Sequence, residues 1–436
     1  MKKFLSTALA LGLVAGLAAT ASALELKVTG KYVVDGYYID QGNAAAGRPS
    51  YGVWPFDDSD ADSDSWYEHT FQMYPTLIIN DKVSMKGDIR FIGRNNVWGS
   101  QDDLATADGG NFEMDKAWLE YTSPVGMWQI GRQPAGAWQY AFVNNATKGD
   151  RIKWNFPTMD KFKSYVFLEK QTEQDGYWSD LGGAFGSDDK DYYEAAGGYE
   201  AEGVKAWLGL GWTNNNLLDY ADVEQDTWRI KGYGEFVINP TFSMLGEFDY
   251  KFGEIDYPVG NDVDTSGLAA IVAGVGKFDA LTATLGYFYM SGDNDASDDD
   301  MEAYDVANGT GWDFQPLYIM TGDATNVLNG YRGANIVGTT VRTAGVHAVM
   351  LLADYAASQD LTLHGGVAYG MAADEPDGVD DSYGWEFDLG LAYKLYDNLT
   401  YELHFGWWAV GDFAELGGLM DTEDVLLLSH HLSMKF

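Results

Sequence analysis

The fold class that the sequence predicts is all-β, namely an antiparallel transmembrane β-barrel of about eighteen strands. Three observations predict it: hydrophobic residues with a period of two, alternating short and long polar connections, and an N-terminal export signal. A period of two indicates strands with one apolar and one polar face, and closing them into a barrel satisfies all backbone hydrogen bonds within a bilayer. Residues 24–436 contain no apolar run long enough for a helical span.

The first 23 residues predict a secretory signal peptide. Lys2 and Lys3 precede an apolar stretch over residues 4–19, and Ala21-Ser22-Ala23 matches a signal-peptidase site. An uncleaved anchor helix is the alternative, but the apolar stretch is short for a bilayer span. We therefore expect residues 1–23 to be removed and residues 24–436 to form a single barrel domain.

Composition narrows the class of protein further. The chain has 15% aromatic residues, 52 glycines, 10 prolines and no cysteine, which suits long strands with interfacial aromatic girdles. The absence of cysteine excludes c-type haem attachment and cysteine zinc sites. The net charge of −39 becomes −41 when Lys2 and Lys3 are removed, and such a field makes nucleic acid an improbable partner.

Strand-like segments alternate apolar and polar residues along the whole chain. In residues 82–95 one parity carries mostly apolar side chains and the other mostly charged ones, and residues 241–253 repeat the pattern. This alternation places one face against lipid and the other against water. The eighteen predicted strands, with sixteen as the alternative count, are 24–40, 65–79, 82–94, 112–123, 126–134, 150–157, 161–174, 191–201, 203–213, 226–238, 241–255, 266–278, 280–292, 340–357, 361–374, 383–396, 399–411 and 422–436.

The connections between these strands alternate between two kinds. The short ones contain turn-forming residues and lie near 80–81, 123–126, 158–160, 202–203, 239–240, 279–280, 359–360 and 397–398. The longer polar ones lie near 41–64, 95–111, 135–149, 175–190, 214–225, 256–265, 293–339, 375–382 and 412–421. Short periplasmic turns and longer outer loops are typical of outer-membrane barrels.

The C-terminus carries the sharpest local motif. Leu428, His430, Leu432, Met434 and the terminal Phe436 share one parity. This resembles the C-terminal signature of outer-membrane barrels, and the resemblance implies that the barrel-assembly machinery recognises Phe436. The neighbouring His431 is expected to face the lumen, and His430 to face lipid or an interface.

A wider resemblance covers most of the predicted mature chain. Gly131-Arg132-Gln133-Pro134, a loop with Trp138 and Phe142, and the segment Gly149 to Trp154 resemble the region of the inward-folding third loop of porins and of larger substrate-selective or alginate-export-type barrels. Residues 383–405 resemble their late hairpin. The resemblance implies a location in the cell outer membrane, contact with lipid and lipopolysaccharide, passive diffusion through a water-filled lumen, and a homotrimer. The third loop departs from the usual pattern because residues 135–148 contain no Asp or Glu.

Charged residues on the polar parity of the early strands are the candidate pore-lining residues. Neighbouring strands would bring them together on the lumen wall, where opposed acids and bases create a transverse field that sets ion selectivity. They could equally pair with one another without affecting transport. The residues are Lys86, Asp88, Arg90, Arg94, Lys116, Glu120, Arg151 and Lys153; a second inward set of mixed sign, in which mutual pairing is favoured, is Arg229, Lys231, Glu235, Glu247, Asp249 and Lys251.

Two acidic clusters in the long connections predict an anionic vestibule. They comprise Asp58, Asp60, Asp62 and Asp64 in the first, and Asp298, Asp299 and Asp300 in the second. An EF-hand would need glycine where Ser63 stands, so we predict no defined metal site and no cofactor. Loose binding of divalent cations by these hydrated loops remains the alternative.

Residues 293–339 are too long for a simple hairpin loop. Their centre, from Trp312 to Met320, is apolar and aromatic. Long connections of this kind are usually functional or disordered. We expect this centre to fold into the barrel mouth or to pack against a neighbouring subunit.

The sequence therefore favours a porin for ions and small hydrophilic solutes, with a preference for cations. A substrate-specific channel for an organic solute is the second hypothesis. The third is a structural or docking barrel for a surface or electron-transfer assembly. No serine-hydrolase elbow or metalloprotease helix motif is present, so we do not expect an enzyme.

Overall fold

A computed structural model describes residues 24–40, 63–98, 113–135, 142–143, 148–173, 189–218, 223–293, 295, 298, 300–304, 314–322, 328, 344–376, 378–415 and 422–436. The predicted signal peptide and most of the first acidic cluster lie outside these residues. None of the helical residues described forms a helix with the length and hydropathy needed to cross a membrane.

The chain forms a closed antiparallel barrel. Eighteen strands build its wall, as predicted, so the alternative of sixteen is wrong; β14 is a two-residue addition that runs parallel to β12. The strands are β1 Glu25–Asp40, β2 Asp64–Asn80, β3 Val83–Val97, β4 Glu113–Ser123, β5 Gly126–Pro134, β6 Lys148–Asn155, β7 Phe162–Thr172, β8 Lys190–Ala201, β9 Val204–Leu218, β10 Val223–Val237, β11 Phe242–Asp256, β12 Val263–Phe278, β13 Leu281–Met290, β14 Asp300–Met301, β15 Val346–Ala356, β16 Leu361–Met371, β17 Ser382–Tyr396, β18 Leu399–Val410 and β19 Val425–Lys435.

The two ends of the barrel differ in their connections. All eight predicted short turns join consecutive strands at one end, which we call the short-turn rim. The opposite end, the long-loop rim, carries the longer connections. The predicted loop 214–225 is too long, because β9 and β10 continue to Leu218 and from Val223. Cross-strand amide pairs explain the extension: Asn215 donates to Gln225 over 2.9 Å.

Several other predicted boundaries also move. β3 continues to Val97, β6 begins at Lys148 and β12 begins at Val263, so the loops 95–111, 135–149 and 256–265 are shorter than expected. β15 begins only at Val346, since the chain before it turns at Gly345, whose φ is 62°. Three of these four strands thus reach further toward the long-loop rim than predicted.

Strand pairing closes the barrel between its two termini. β1 pairs with both β2 and β19, and Gly30 and Phe436 exchange backbone hydrogen bonds of 2.8 and 3.1 Å. The ring of Phe436 lies over Gly30, where any Cβ would collide with it. The terminal aromatic residue therefore packs at the seam of the barrel, whereas its recognition by the assembly machinery stays a prediction.

The outer surface is apolar in the middle and aromatic near both ends. Met85, Ile152, Leu208 and Leu389 are between 46% and 65% exposed on the outward parity. Outward aromatic rings stack across strands, as in Tyr193, Trp212 and Trp228. An apolar band between aromatic girdles matches the lipid-facing surface of a transmembrane barrel.

The hydrophobic core of the molecule lies inside the barrel, nearer the long-loop rim. Two loop segments enter the lumen and pack against the wall formed by β12, β13 and β15–β19. One contains Phe142, whose ring contacts Phe288 and Phe314 at centroid distances of 5.7 and 5.0 Å. The other, residues 314–322, is called the inner segment here. The long connection therefore folds into the barrel, which is one of the two arrangements predicted for it.

Candidate permeation site in the lumen

The early strands carry a network of ion pairs on the lumen wall. Lys86 on β3 lies 2.9 Å from Glu120 on β4, and Lys116 lies 2.8 Å from Asp88. Register explains these contacts, since Asp88 faces Lys116 directly across the β3–β4 ladder. The four residues that parity predicted to meet in the lumen are thus brought together in pairs.

Asp115 joins this network although it directly precedes the lumenal Lys116 and so has the opposite parity. The β3–β4 register shifts next to Asp88, so that Asp115 is an additional residue on β4 and is buried beside Lys116. Its carboxylate accepts from Arg90 at 2.9 Å, and from Lys116 and Lys148 at 2.6 Å each. A β-bulge re-aims side chains in this way, and no period-two pattern reveals it.

Arg151 and Lys153 occupy neighbouring lumenal positions on β6. Arg151 pairs with Glu169 and donates to the carbonyl oxygen of Ala135 over 2.6 Å. Lys153 lies 4.0 Å from the centre of the Tyr165 ring and, among the described residues, has no carboxylate within salt-bridge distance. Arg94 is in β3, but its side chain lies outside the described part of the structure.

The middle strands form a second charged network. Arg229 contacts Asp249 at 3.0 Å, and Lys231 contacts Glu194 at 2.6 Å. Glu247 accepts the backbone N–H of Val143 over 3.0 Å, so this network also anchors the loop that carries Phe142. Mutual pairing, which was the favoured interpretation of this set, holds for Arg229 and Asp249, whereas Lys231 and Glu235 pair with Glu194 and Lys205 outside the set.

The inner segment is fixed to β17 by buried carboxylates. Glu386 accepts the backbone N–H groups of Ile319 and Met320 at 2.6 and 2.7 Å, and Asp388 accepts that of Tyr318 at 3.2 Å. Burial raises the pKa of the Tyr318 hydroxyl. Sequence reasoning missed both carboxylates, although their lumenal parity on β17 could have indicated them.

Two of the cavities lined by described residues lie beside these packed segments. The upper cavity, about 190 Å³, lies near the long-loop rim and is lined mainly by hydroxyl and amide groups together with Lys190, Arg229 and Lys251. The lower cavity, about 320 Å³, lies between the inner segment and the short-turn rim. Its polar lining comprises Tyr318, Asp354, His364, Asp388, Glu402 and His404.

The predicted acidic vestibule is only partly described. Asp298 and Asp300 are exposed at the long-loop rim, where the backbone of Asp300 in β14 lies beside that of Asp264 in β12. Asp58, Asp60, Asp62 and Asp299 lie outside the described residues, and Asp64 begins β2 with its side chain undescribed. The role of these acids in selectivity therefore stays a prediction.

The two adjacent histidines of the last strand face opposite sides. His431 is lumenal, where it lies 2.6 Å from Asp35 and contacts the ring of His404 at 4.8 Å. His430 points outward against Tyr67 and Tyr401. Both orientations agree with the alternation of the strand.

The similarity of this chain to known proteins lies in its three-dimensional architecture rather than in its amino-acid sequence. No family model and no curated protein sequence matches the chain. Among solved structures, a BenF-like porin from Pseudomonas fluorescens Pf-5 aligns with a TM-score of 0.55 at 10% identity, over 94% of this chain and 99% of that one. The chain has the fold of outer-membrane porins.

Two further porin-like structures from Pseudomonas aeruginosa align over the same share of this chain. OccK9 (OpdG) has a TM-score of 0.55 and 13% identity, and the outer membrane protein OpdK has a TM-score of 0.53 and 10% identity. The alignments cover 94% of this chain and 98% of each of those chains. The alignments therefore span nearly the whole of each of those chains.

Proposed function

We propose that this protein is an outer-membrane channel for the passive diffusion of ions and small hydrophilic solutes, with a modest preference for cations. The observation that carries this proposal is the ion pairing along the lumen wall. Lys86, Arg90, Lys116 and Arg151 each contact a carboxylate. Their charges are therefore largely compensated within the wall.

The acids at the long-loop rim differ from those in the wall. Asp298 and Asp300 are exposed, and Glu254, Asp256 and Asp262 form another exposed acidic group at the same rim. A mouth lined by one sign of charge concentrates ions of the opposite sign. This supports cation accumulation at the entrance, followed by passage along a wall of small net charge.

The experiment that tests the proposal is conductance and reversal-potential measurement in planar lipid bilayers. We expect a conductance that prefers cations at low salt and loses that preference as salt rises. The physical reason is that dissolved ions screen the charges of the protein. The Debye screening length falls from about 30 Å at 0.01 M to about 3 Å at 1 M salt. An anion preference at low salt would contradict the proposed selectivity.

The inner segment supports the second hypothesis, a channel narrowed for particular solutes. Ile319 and Met320 are fully buried inside the barrel, so part of the lumen is filled rather than open. Block of a small conductance by one solute class would favour this hypothesis over a general pore. A barrel that conducts nothing would instead favour a docking role.

The outer membrane is the location that we propose, reached by means of the cleaved signal peptide. The apolar outer band and the aromatic girdles support contact with lipid, and lipopolysaccharide is the expected lipid of the outer leaflet. A homotrimer is proposed on the family resemblance alone. Membrane fractionation and cross-linking of the native protein measure location and subunit number.

A further inference from the structure

We infer that the lower cavity is a binding site for a small organic cation, such as an alkyl diamine. This inference rests on the proposed channel function and names the solute class that the lumen selects. The cavity measures about 320 Å³ and is bounded by β15–β18 and the inner segment. It holds several non-hydrogen atoms, which is far more space than a single metal ion needs.

The strongest evidence is the state of the buried carboxylates on β17. Asp388 is 6% exposed and lines the cavity; its Oδ2 accepts from the backbone N–H of Tyr318, whereas no N–H or hydroxyl donor of the described residues reaches its Oδ1. Glu386 lies two residues earlier on the same face and is completely buried. In the described structure, no lysine or arginine lies within salt-bridge distance of either carboxylate. The side chains of Asp388 and Glu386 are in hydrogen-bond contact with each other, so a shared proton takes the place of a cation between them. A bound ammonium group would displace that proton and compensate both buried carboxylates.

The remaining walls of the cavity suit the same ligand. Asp354 and Glu402 add two more carboxylates, and no lysine or arginine is among the described residues that line the space. Their contacts are with histidine: His364 lies 2.5 Å from Asp354, and His404 lies 3.4 Å from Glu402. The ring of Tyr318 stacks on His404 at 4.3 Å. An aromatic face beside carboxylates attracts organic ammonium groups.

A bare metal ion fits this cavity less well. Among the described residues, the group of three acidic or histidine side chains close enough to share one ion is Glu254, Asp256 and Asp262, at the long-loop rim. The cavity's own carboxylates are spread over its walls rather than converging on one point. A short chain with a positive charge at each end could contact more than one of them.

The test compares three probes of equal chain length: 1,4-diaminobutane, 1,4-butanediol and succinate. Each is added to the protein conducting in planar bilayers, and its binding to the detergent-solubilised protein is measured by calorimetry. We expect block and binding by the diamine only. Asp388→Asn should weaken both by about tenfold or more, since a hydrogen bond to a charged group is lost. Asp354→Asn, at a more exposed side chain, provides a second variant should Asp388→Asn fail to fold.

Glu235→Gln is the matched control. Glu235 is a carboxylate on β10 near the short-turn rim, it pairs with Lys205 at 2.8 Å, and it does not line the cavity. This variant should keep diamine block within twofold of the unmodified protein. Conductance without diamine block or binding overturns the inference and leaves the channel proposal standing. Equal weakening in Glu235→Gln, or block by succinate, also overturns the inference. Diamine binding by a barrel that conducts nothing supports the site and overturns the channel.

Discussion

Asp115 shows how one residue changes the charge of the lumen. Its carboxylate is 1% exposed and contacts Arg90, Lys116 and Lys148. One negative charge thus partly compensates three positive charges. Removing one member of a buried ion pair leaves uncompensated charge and costs about 3–5 kcal/mol. We expect Asp115→Asn to lower the free energy of unfolding by this amount and to shift permeation toward anions, as measured by urea unfolding and by reversal potential.

Asp150→Asn is the control for this residue. Asp150 pairs with Arg132 on the outward face, where both side chains are about half exposed, at 49% and 47% for Arg132 and Asp150. An exposed pair contributes only about 0–1 kcal/mol. Stability should therefore change little in the control, and its ion selectivity should be unchanged because Asp150 faces away from the lumen. An unchanged selectivity in Asp115→Asn would contradict the proposed effect of the bulge on permeation.

At the scale of an element, the inner segment depends on glycines in the wall behind it. Gly390 on β17 and Gly406 on β18 face the lumen where Tyr318 and Ile319 lie, and a Cβ at Gly390 would collide with the Tyr318 hydroxyl. We expect Gly390→Val to displace the inner segment and to raise single-channel conductance about twofold, because displacing the segment widens the lumen. Gly274→Val, at a position with open space around its Cβ, should leave conductance unaltered. Equal conductance in all three proteins would show that the segment does not limit permeation.

At the scale of the whole molecule, the distribution of charge decides selectivity. The 66 acids outnumber the 27 bases, yet the described bases of the early wall are mostly paired, so the excess acts chiefly at the rim. Replacing Asp298, Asp299 and Asp300 together by Asn should reduce cation preference at low salt. Arg90→Ala with Arg151→Ala should strengthen it, because Asp115 and Glu169 lose cation partners. Reversal potentials that move in the opposite directions would refute this account.

Fold class, strand number and most strand boundaries follow from the sequence by itself. The reason is that lipid on one side and water on the other impose the same period of two on every strand. The apolar Met85 therefore indicates the outward face and the charged Asp88 the lumenal face. Turn residues mark the short connections, and the parity of β19 places His430 outside and His431 inside. These signals are local, and each can be interpreted without knowledge of the distant chain.

Only the tertiary structure decided how the lumen is filled and where its charges meet. Asp115 faces inward because of a register shift between two strands, and a single strand does not encode its register with its neighbour. Glu386 and Asp388 acquired their roles when residues about 70 positions earlier folded back against them. The lower cavity exists between that segment and four strands. A contact between segments that are distant in the sequence produces no periodic pattern of apolar residues in either segment. It forms only when barrel closure brings the two segments together.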